Sequence, residues 1–328
     1  MRVLVTGGAG YIGSHAVKAL VAAGHEPIVY DDLSTGHRQA VRDVPLIEGD
    51  VRDASRLAHA MARWEIEAVM HFAAKSLVGE SMTDPAKYYE NNVGGGLALL
   101  EACRECGVAR LIFSSTAAVY GEPVETPITE AHPLEPTSVY GRTKLVFERM
   151  LADYASASSF EYIALRYFNA AGADPGGALG EDHNPETHLI PIVLEAALGK
   201  RDAITVFGSD YPTEDGTCVR DYVHVSDLAD AHVLALERLA SGGGSGVFNL
   251  GNGQGFSVRQ VIETAERVVG RPIPIRDGER RPGDPAVLVA SSDQAKKLLG
   301  WKPAFESLES IIETAWAWMR EHPDGFGA

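Results

Sequence analysis

Cysteine is scarce, with only Cys103, Cys106 and Cys218 in 328 residues. An odd and sparse set excludes a disulfide framework and points to a reducing, cytoplasmic setting. Long apolar runs are missing too: none approaches the ~18 residues that a bilayer-crossing helix needs, so no membrane partner is expected. The opening Met-Arg-Val-Leu-Val-Thr-Gly reads as a strand entering glycines, and no secretory leader is expected there. Positive charge is short as well. The 29 basic side chains face 45 acidic ones, a net charge of −16 with no basic run to interrupt it. Such a surface repels phosphate backbones, and no nucleic-acid partner is expected.

The composition that remains, 45% hydrophobic and 23% charged, is ordinary for a globular chain. The length suits two domains, or one large α/β unit with an appendage. Through the first 170 residues, short apolar runs alternate with helical patterns: Val3-Leu4-Val5, a helix over about 12–23, then Pro27-Ile28-Val29-Tyr30. Leu46-Ile47, Ala68-Val69-Met70 and Arg110-Leu111-Ile112-Phe113 continue the series. Strands without clean alternation, separated by helices, predict an α/β fold of the Rossmann type, a doubly wound parallel sheet covered on both faces. Beyond about Asn169 the rhythm loosens, and Gly-, Pro- and Asp-rich stretches at 172–187, 208–217 and 276–286 read as loops over a ligand. The expected division is a doubly wound domain over 1–170, to which 221–240 returns, and a smaller α/β domain over 171–328.

Gly7, Gly10 and Gly13 lie between the first strand and the first helix. Glycines there let the backbone approach a pyrophosphate whose charge rests on the helix N-terminus. Asp31 closes the second strand 24 positions after Gly7, where a carboxylate accepts adenosine ribose hydroxyls and repels a 2′-phosphate, favouring NAD. The glycine turn could be structural alone, but strand, loop, helix and acid stand in register. Asp50-Val51 follows the third strand, where an adenine would be held; a plain turn Asp explains the spacing equally well.

Tyr140 and Lys144 share one helical face at i and i+4. An ammonium beside a phenol favours the phenolate and would lower its pKa from ~10 toward neutrality, giving a base for a hydroxyl whose carbon gives up hydride. A Tyr-x-x-x-Lys arises by chance often enough that it needs support. The strand Phe113-Ser114-Ser115-Thr116 supplies it by bringing hydroxyls to the carboxyl edge of the sheet.

With these motifs the chain resembles the extended short-chain dehydrogenase/reductase superfamily. It is similar almost end to end to the UDP-glucose 4-epimerase family within it. The carrying segments are 6–15, Val-Gly-Glu-Ser at 78–81, Asn-Asn-Val at 91–93, Ser-Ser-Thr-Ala-Ala-Val-Tyr-Gly at 114–121 and Arg-Tyr-Phe-Asn at 166–169. The most specific is Tyr-Pro-Thr-Glu-Asp-Gly-Thr-Cys-Val-Arg-Asp-Tyr-Val-His-Val at 211–225. The resemblance implies that Tyr140 is the base, Lys144 its partner and Thr116 the hydroxyl on the sugar 4-OH, where many members carry Ser. It implies a tightly bound NAD contacted by Gly7, Gly10, Tyr11, Ile12, Gly13, Asp31, Asp50, Val51, Phe72, Ala73, Ala74, Asn91, Ser114, Tyr140, Lys144 and Tyr167. For a UDP-hexose it implies Thr116, Tyr140, Asn169, His188, Leu189, Thr205, Phe207, Arg220, Arg281 and Asp284. Asn169, Arg220 and Arg281 would hold the diphosphate, Phe207 would stack on uracil and Asp284 would take the ribose. Lys75 sits one residue before the position where some epimerases place a cofactor-contacting Lys, and it is not assigned to NAD.

The implied reaction oxidises C4 to a 4-keto sugar, which rotates and is reduced on its other face. A 4,6-dehydratase wants an Asp-Glu pair after the strand hydroxyl, and this chain has Ala117 and Ala118. A decarboxylase wants a nearby Glu, which is missing, and a non-catalytic NAD(H) sensor would not need Tyr140 and Lys144 together. Cys103 and Cys106 read as buried thiols. Glu181, Asp182, His183, Glu186 and His188 read as a loop over the substrate, with no metal expected. Leu288 matches a position where a bulky Tyr excludes N-acetylated sugars, so UDP-N-acetylglucosamine is a further expected substrate. The family implies a homodimer through helices over about 85–105 and 139–155.

Overall fold

The computed structural model describes residues 1–281 and 284–327, so two positions of the expected 276–286 loop, 282 and 283, lie outside the described residues. Its strands are β1 (Arg2–Thr6), β2 (Glu26–Asp31), β3 (Leu46–Glu48), β4 (Ala68–His71), β5 (Arg110–Thr116), β6 (Glu161–Tyr167) and β7 (Asn169–Ala171). There follow β8 (Ile204–Phe207), β9 (Val219–Arg220), β10 (Tyr222–His224), β11 (Gly246–Leu250), β12 (Phe256–Ser257), β13 (Ile275–Gly278) and β14 (Val287–Leu288). The helices are α1 (Tyr11–Ala22), α2 (Ala54–Arg63), α3 (Val78–Thr83), α4 (Pro85–Tyr88), α5 (Gly95–Cys106) and α6 (Val139–Ala157). They continue as α7 (Leu189–Ala197), α8 (Val225–Ala240), α9 (Val258–Val269) and α10 (Leu308–Glu321).

Seven strands form one parallel sheet in the order β11-β6-β5-β4-β1-β2-β3, a Rossmann-type α/β architecture. The order reverses between β1 and β4, and a crevice opens at the carboxyl ends of strands at such a switch point. Successive residues of β1 point to opposite faces. Val3 and Val5 join Val17 and Leu20 of α1 and Leu228 and Leu236 of α8 on one side. Leu4 joins Leu57 and Met61 of α2, Leu99 of α5 and Phe147 of α6 on the other. Burial on both faces explains why these strands lack an alternating pattern.

A separate core gathers Ile190 and Leu194 of α7, Ile204 and Val206 of β8, Val261 of α9 and Ile311 of α10. The return of the later chain to the sheet is wider than 221–240. Beyond α8, β11 pairs with β6 as the sheet's edge strand, Gly246 opposite Ile163 through Leu250 opposite Tyr167. No helix among the described residues is long and apolar enough to cross a membrane.

Candidate active site

The turn after β1 is shaped by contacts that leave no room for side chains. Gly7 has φ +72°, and a Cβ there would lie 2.5 Å from the Ala73 nitrogen on the neighbouring turn after β4. A Cβ on Gly13 would come within 2.2 Å of the Gly7 carbonyl oxygen. The turn is therefore packed directly against its own neighbours while lining the cavity, and the twelve-residue α1 begins just beyond Gly10, where its free N–H groups suit a phosphate. Asp31 is 7% exposed, and its two carboxylate oxygens accept the backbone N–H groups of Ala9 and Leu33, each at 2.9 Å. Burial raises its pKa while those two donors oppose the rise. A glycine cradle, a helix N-terminus and a fixed acid fit a dinucleotide with a free 2′-hydroxyl.

The α6 helix brings in the phenol and the amine. The Ser138 hydroxyl caps it by accepting from Gly141 N at 3.0 Å, and the Ser81 hydroxyl accepts from Tyr140 N at 3.1 Å. Lys144 is 3% exposed; its Nζ donates to the Ser114 carbonyl at 2.7 Å and lies 5.8 Å from the Tyr140 ring centre. The expected lowering of the phenol is not what these surroundings produce. Burial pushes Tyr140 up to about 12, with the Thr116 hydroxyl opposing, and burial pulls Lys144 down to about 7, with Glu148 opposing. Desolvation dominates both groups, so a phenolate near neutral pH needs more positive charge in the site.

Both sets of residues line one cavity of about 970 Å³. Residues 3–251 match the model of the NAD dependent epimerase/dehydratase family.

The chain belongs to that family.

A UDP-glucose 4-epimerase from Halalkalibacterium halodurans is 55% identical over 99% of this chain and 98% of its own length. One from Lacticaseibacillus casei is 51% identical over 100% and 99%. Among solved structures, a UDP-glucose 4-epimerase from Brucella ovis in complex with NAD superposes with a TM-score of 0.94 at 52% identity, covering 96% and 97% of the two chains. The enzyme from Bifidobacterium longum in complex with NAD+ and UDP gives 0.94 at 39% identity over 99% and 100%.

In this epimerase/dehydratase chain the cavity wall carries most of the expected residues. Gly10, Tyr11, Ile12, Val51, Phe72 and Ala74 join those above near the glycine turn, with Asn91, Ser114 and Tyr167 further along. Beyond α6 in the chain it carries Asn169, His188, Arg220, Arg281, Asp284 and Leu288. The Ser114 and Tyr167 hydroxyls bond to each other, and Arg220 pairs with Asp284. The Asn169 amide donates to the Asp221 carbonyl at 2.9 Å.

Four expected residues are not on that wall. Asp50 turns its carboxylate to Arg52 at 2.5 Å, Leu189 opens α7, and Thr205 is exposed on β8. Phe207 is half-buried, with the Arg281 guanidinium 4.0 Å above its ring, so arginine covers the face expected to meet a base. Cys103 is buried and burial raises its thiol to about 12, whereas Cys106 is half-buried.

Lys75, left unassigned by the sequence, is on this wall, and Asn92, not singled out there, supports it. Lys75 lines the cavity, and its Nζ donates to Ser34 Oγ at 3.0 Å. Asn92, 4% exposed, holds that turn in place: its Oδ1 accepts from Lys75 N at 2.8 Å, while its Nδ2 donates to the Lys75 carbonyl and to Thr143 Oγ1, both at 3.0 Å. The Asn-Asn-Val motif carried the signal, but the second Asn, not only the first, does the positioning.

The 181–188 loop also reaches the cavity through Glu181, His183 and His188. Burial alone would lower the two imidazoles, yet Glu181 and Glu186 overcome it and raise His183 to about 9 and His188 to about 10.

Proposed function

We propose that this chain interconverts UDP-glucose and UDP-galactose by reversible oxidation at C4 in the cavity between the Rossmann unit and the substrate unit. The observation that carries the reading is the meeting of the Tyr140 phenol and the Thr116 hydroxyl with the glycine cradle and Asp31 in one cavity at the sheet's switch point. Bound NAD+ supplies the acceptor, and then the donor, of the C4 hydride. Tyr140 takes the proton of the 4-hydroxyl and returns it after the keto sugar has turned. Thr116 hydrogen-bonds the same oxygen, and Lys144, anchored on the Ser114 carbonyl, supplies positive charge to the phenol and a donor to the nicotinamide ribose. Arg220 and Arg281 take the diphosphate, to which guanidinium groups are suited by charge and shape, with Asn169 beside them. Asp284 takes the uridine ribose once Arg220 turns to phosphate. Anchoring through UDP leaves the hexose free to present either face.

A dehydratase reading needs an acid and a base at Ala117 and Ala118, which line the cavity and carry no titratable group. Leu288 on the same wall leaves volume for an acetamido group, and UDP-N-acetylglucosamine is proposed as a second substrate. Met82, Tyr89 and Leu97 expose large apolar side chains on α3, on the turn after α4 and on α5. Such a patch supports a homodimer, expected as a solution mass near twice 35.1 kDa. Three free thiols suit a cytoplasmic setting.

Purified protein is given UDP-galactose without added NAD, and the products are separated. UDP-glucose should accumulate to equilibrium, and UDP-N-acetylglucosamine should yield its 4-epimer in a parallel reaction. No UDP-glucose, or undiminished turnover in Tyr140→Phe, overturns the mechanism; no N-acetylated product overturns the second substrate alone.

A further inference from the structure

We propose that Glu181, His183, Glu186 and His188 bind one divalent transition-metal ion of the zinc class, which staples the cavity-wall loop into shape. The proposal stands on these four side chains and does not need the catalytic reading above. All four lie within an eight-residue segment, and one donor atom from each falls within 4.8 Å of the others. The His183 Nδ1 is 3.2 Å from Glu181 Oε1 and 3.7 Å from Glu186 Oε2. The His188 Nδ1 is 2.7 Å from Glu181 Oε1 and 3.3 Å from Glu186 Oε1. A tetrahedral ion with bonds of ~2.0–2.1 Å has ligand-to-ligand edges of about 3.3 Å, which the separations of 2.7, 3.2 and 3.7 Å bracket when Glu186 ligates through Oε2.

A second observation is independent of that spacing. The Glu181 side chain is 6% exposed, and its Oε1, facing both imidazoles, takes no hydrogen bond among the described residues; nor does the Nδ1 of His183. These atoms are close enough for hydrogen bonds but are not aligned for them. Buried polar atoms are rarely left in this state, and lone pairs converging on one point are the requirement of a coordinated cation. The Glu186 carboxylate is already fixed from behind, its Oε1 accepting from Thr187 N at 2.7 Å and from His188 N at 2.8 Å, as outer partners commonly fix metal ligands.

The donor set selects the metal. Two imidazoles and two carboxylates suit zinc and its neighbours, whereas calcium and magnesium prefer all-oxygen sites. Four protein ligands close the coordination sphere, which makes the ion structural and leaves it no place for substrate. Its effect is on shape. The His183 ring meets the Tyr11 ring edge-on at 6.0 Å, and the Tyr11 hydroxyl donates to the Gly172 carbonyl at 2.7 Å. The ion thereby fixes an irregular loop against the residue that opens α1. This departs from the sequence expectation of a metal-free loop, which rested on residue types without their positions.

The test uses untagged, purified protein with its cofactor, stripped of metal by a strong chelator and dialysed. Zn2+ is titrated back and counted by elemental analysis, and Co2+ is added in parallel as a spectroscopic probe. About one Zn2+ per chain should be retained, and bound Co2+ should show the intense visible absorption of a tetrahedral site. Glu181→Gln and His188→Asn should each weaken Zn2+ binding by at least the ~10–100-fold that loss of an outer partner costs. A metal-free network of protonated imidazoles and carboxylates is the rival. It is established, and the proposal overturned, if wild-type protein retains no Zn2+, if Co2+ keeps the faint spectrum of its aqua ion, or if correctly folded variants bind Zn2+ like wild type.

Discussion

Replacing Arg166 with Met strands the Glu148 carboxylate beneath the active site. The two side chains are 4% and 5% exposed, and the Arg166 Nε donates to both carboxylate oxygens, at 2.9 and 3.2 Å. The Arg166 Nη1 also donates to the Tyr120 hydroxyl at 3.0 Å, and that hydroxyl donates onward to Asn249 at 2.6 Å. With Arg166 gone, Glu148 keeps, among the described residues, the Ser115 hydroxyl as its hydrogen-bond donor, at 2.5 Å. Removing one partner of a buried ion pair costs about 3–5 kcal/mol, because the other charge stays desolvated and unpaired. Removing both can be nearly neutral when the replacements fill the same volume. Arg166→Met and Glu148→Met are therefore each expected to lose about 3–5 kcal/mol, and the double variant to lie within about 1–2 kcal/mol of wild type. Urea denaturation followed by tryptophan fluorescence measures all four proteins, with NAD at one fixed excess because bound ligand adds stability. Single losses below about 1 kcal/mol, or a double variant at the sum of the singles, would refute the reasoning.

Tyr140→Phe should lower kcat by about 10²–10⁴-fold with cofactor content unchanged, read by steady-state turnover and by the absorbance of released NAD. Gly7→Ala places a Cβ 2.5 Å from the Ala73 nitrogen at φ +72°. It should lower cofactor retention after gel filtration, and full retention would show that the turn is not the cradle. Burial holds His15 and His232 at about 4, and His71 and His224 at about 3, against 6.5 ordinarily. Depressed values make the stability they carry complete above pH ~6.5 and progressively lost as pH falls from there toward 4. Urea midpoints should drop over that window, and His232→Gln should flatten the drop; a midpoint unchanged from pH 7 to 5 counts against it.

What could be read in the sequence was what short-range geometry dictates. The glycine turn, Asp31 and the Tyr140/Lys144 face are set by spacings of a few residues within a strand, turn or helix. The same reasoning gave β5 an ending at its hydroxyls. What it missed depends on partners far apart in the chain. The Glu148–Arg166 pair, the Asn92 clamp on Lys75 and the Arg281 cover on Phe207 join segments whose meeting is set by the sheet order. Side-chain direction was equally hidden: the spacing left Asp50 open between an adenine contact and a turn residue, and it could not show that the carboxylate turns to Arg52. The 181–188 loop showed its donor types but not their convergence.

The position of β11 bears on how the chain is made. Its pairing with β6 means that the seven-stranded sheet gains its last strand only when residues 246–250 are available, after α7 and β8 of the separate core have been synthesised. Until then β6 presents an open edge, and the α1 face lacks Leu228 and Leu236. Unpaired strand edges invite intermolecular pairing. A fragment ending near residue 170 would expose that edge permanently, so a cut there leaves the seven-stranded sheet incomplete.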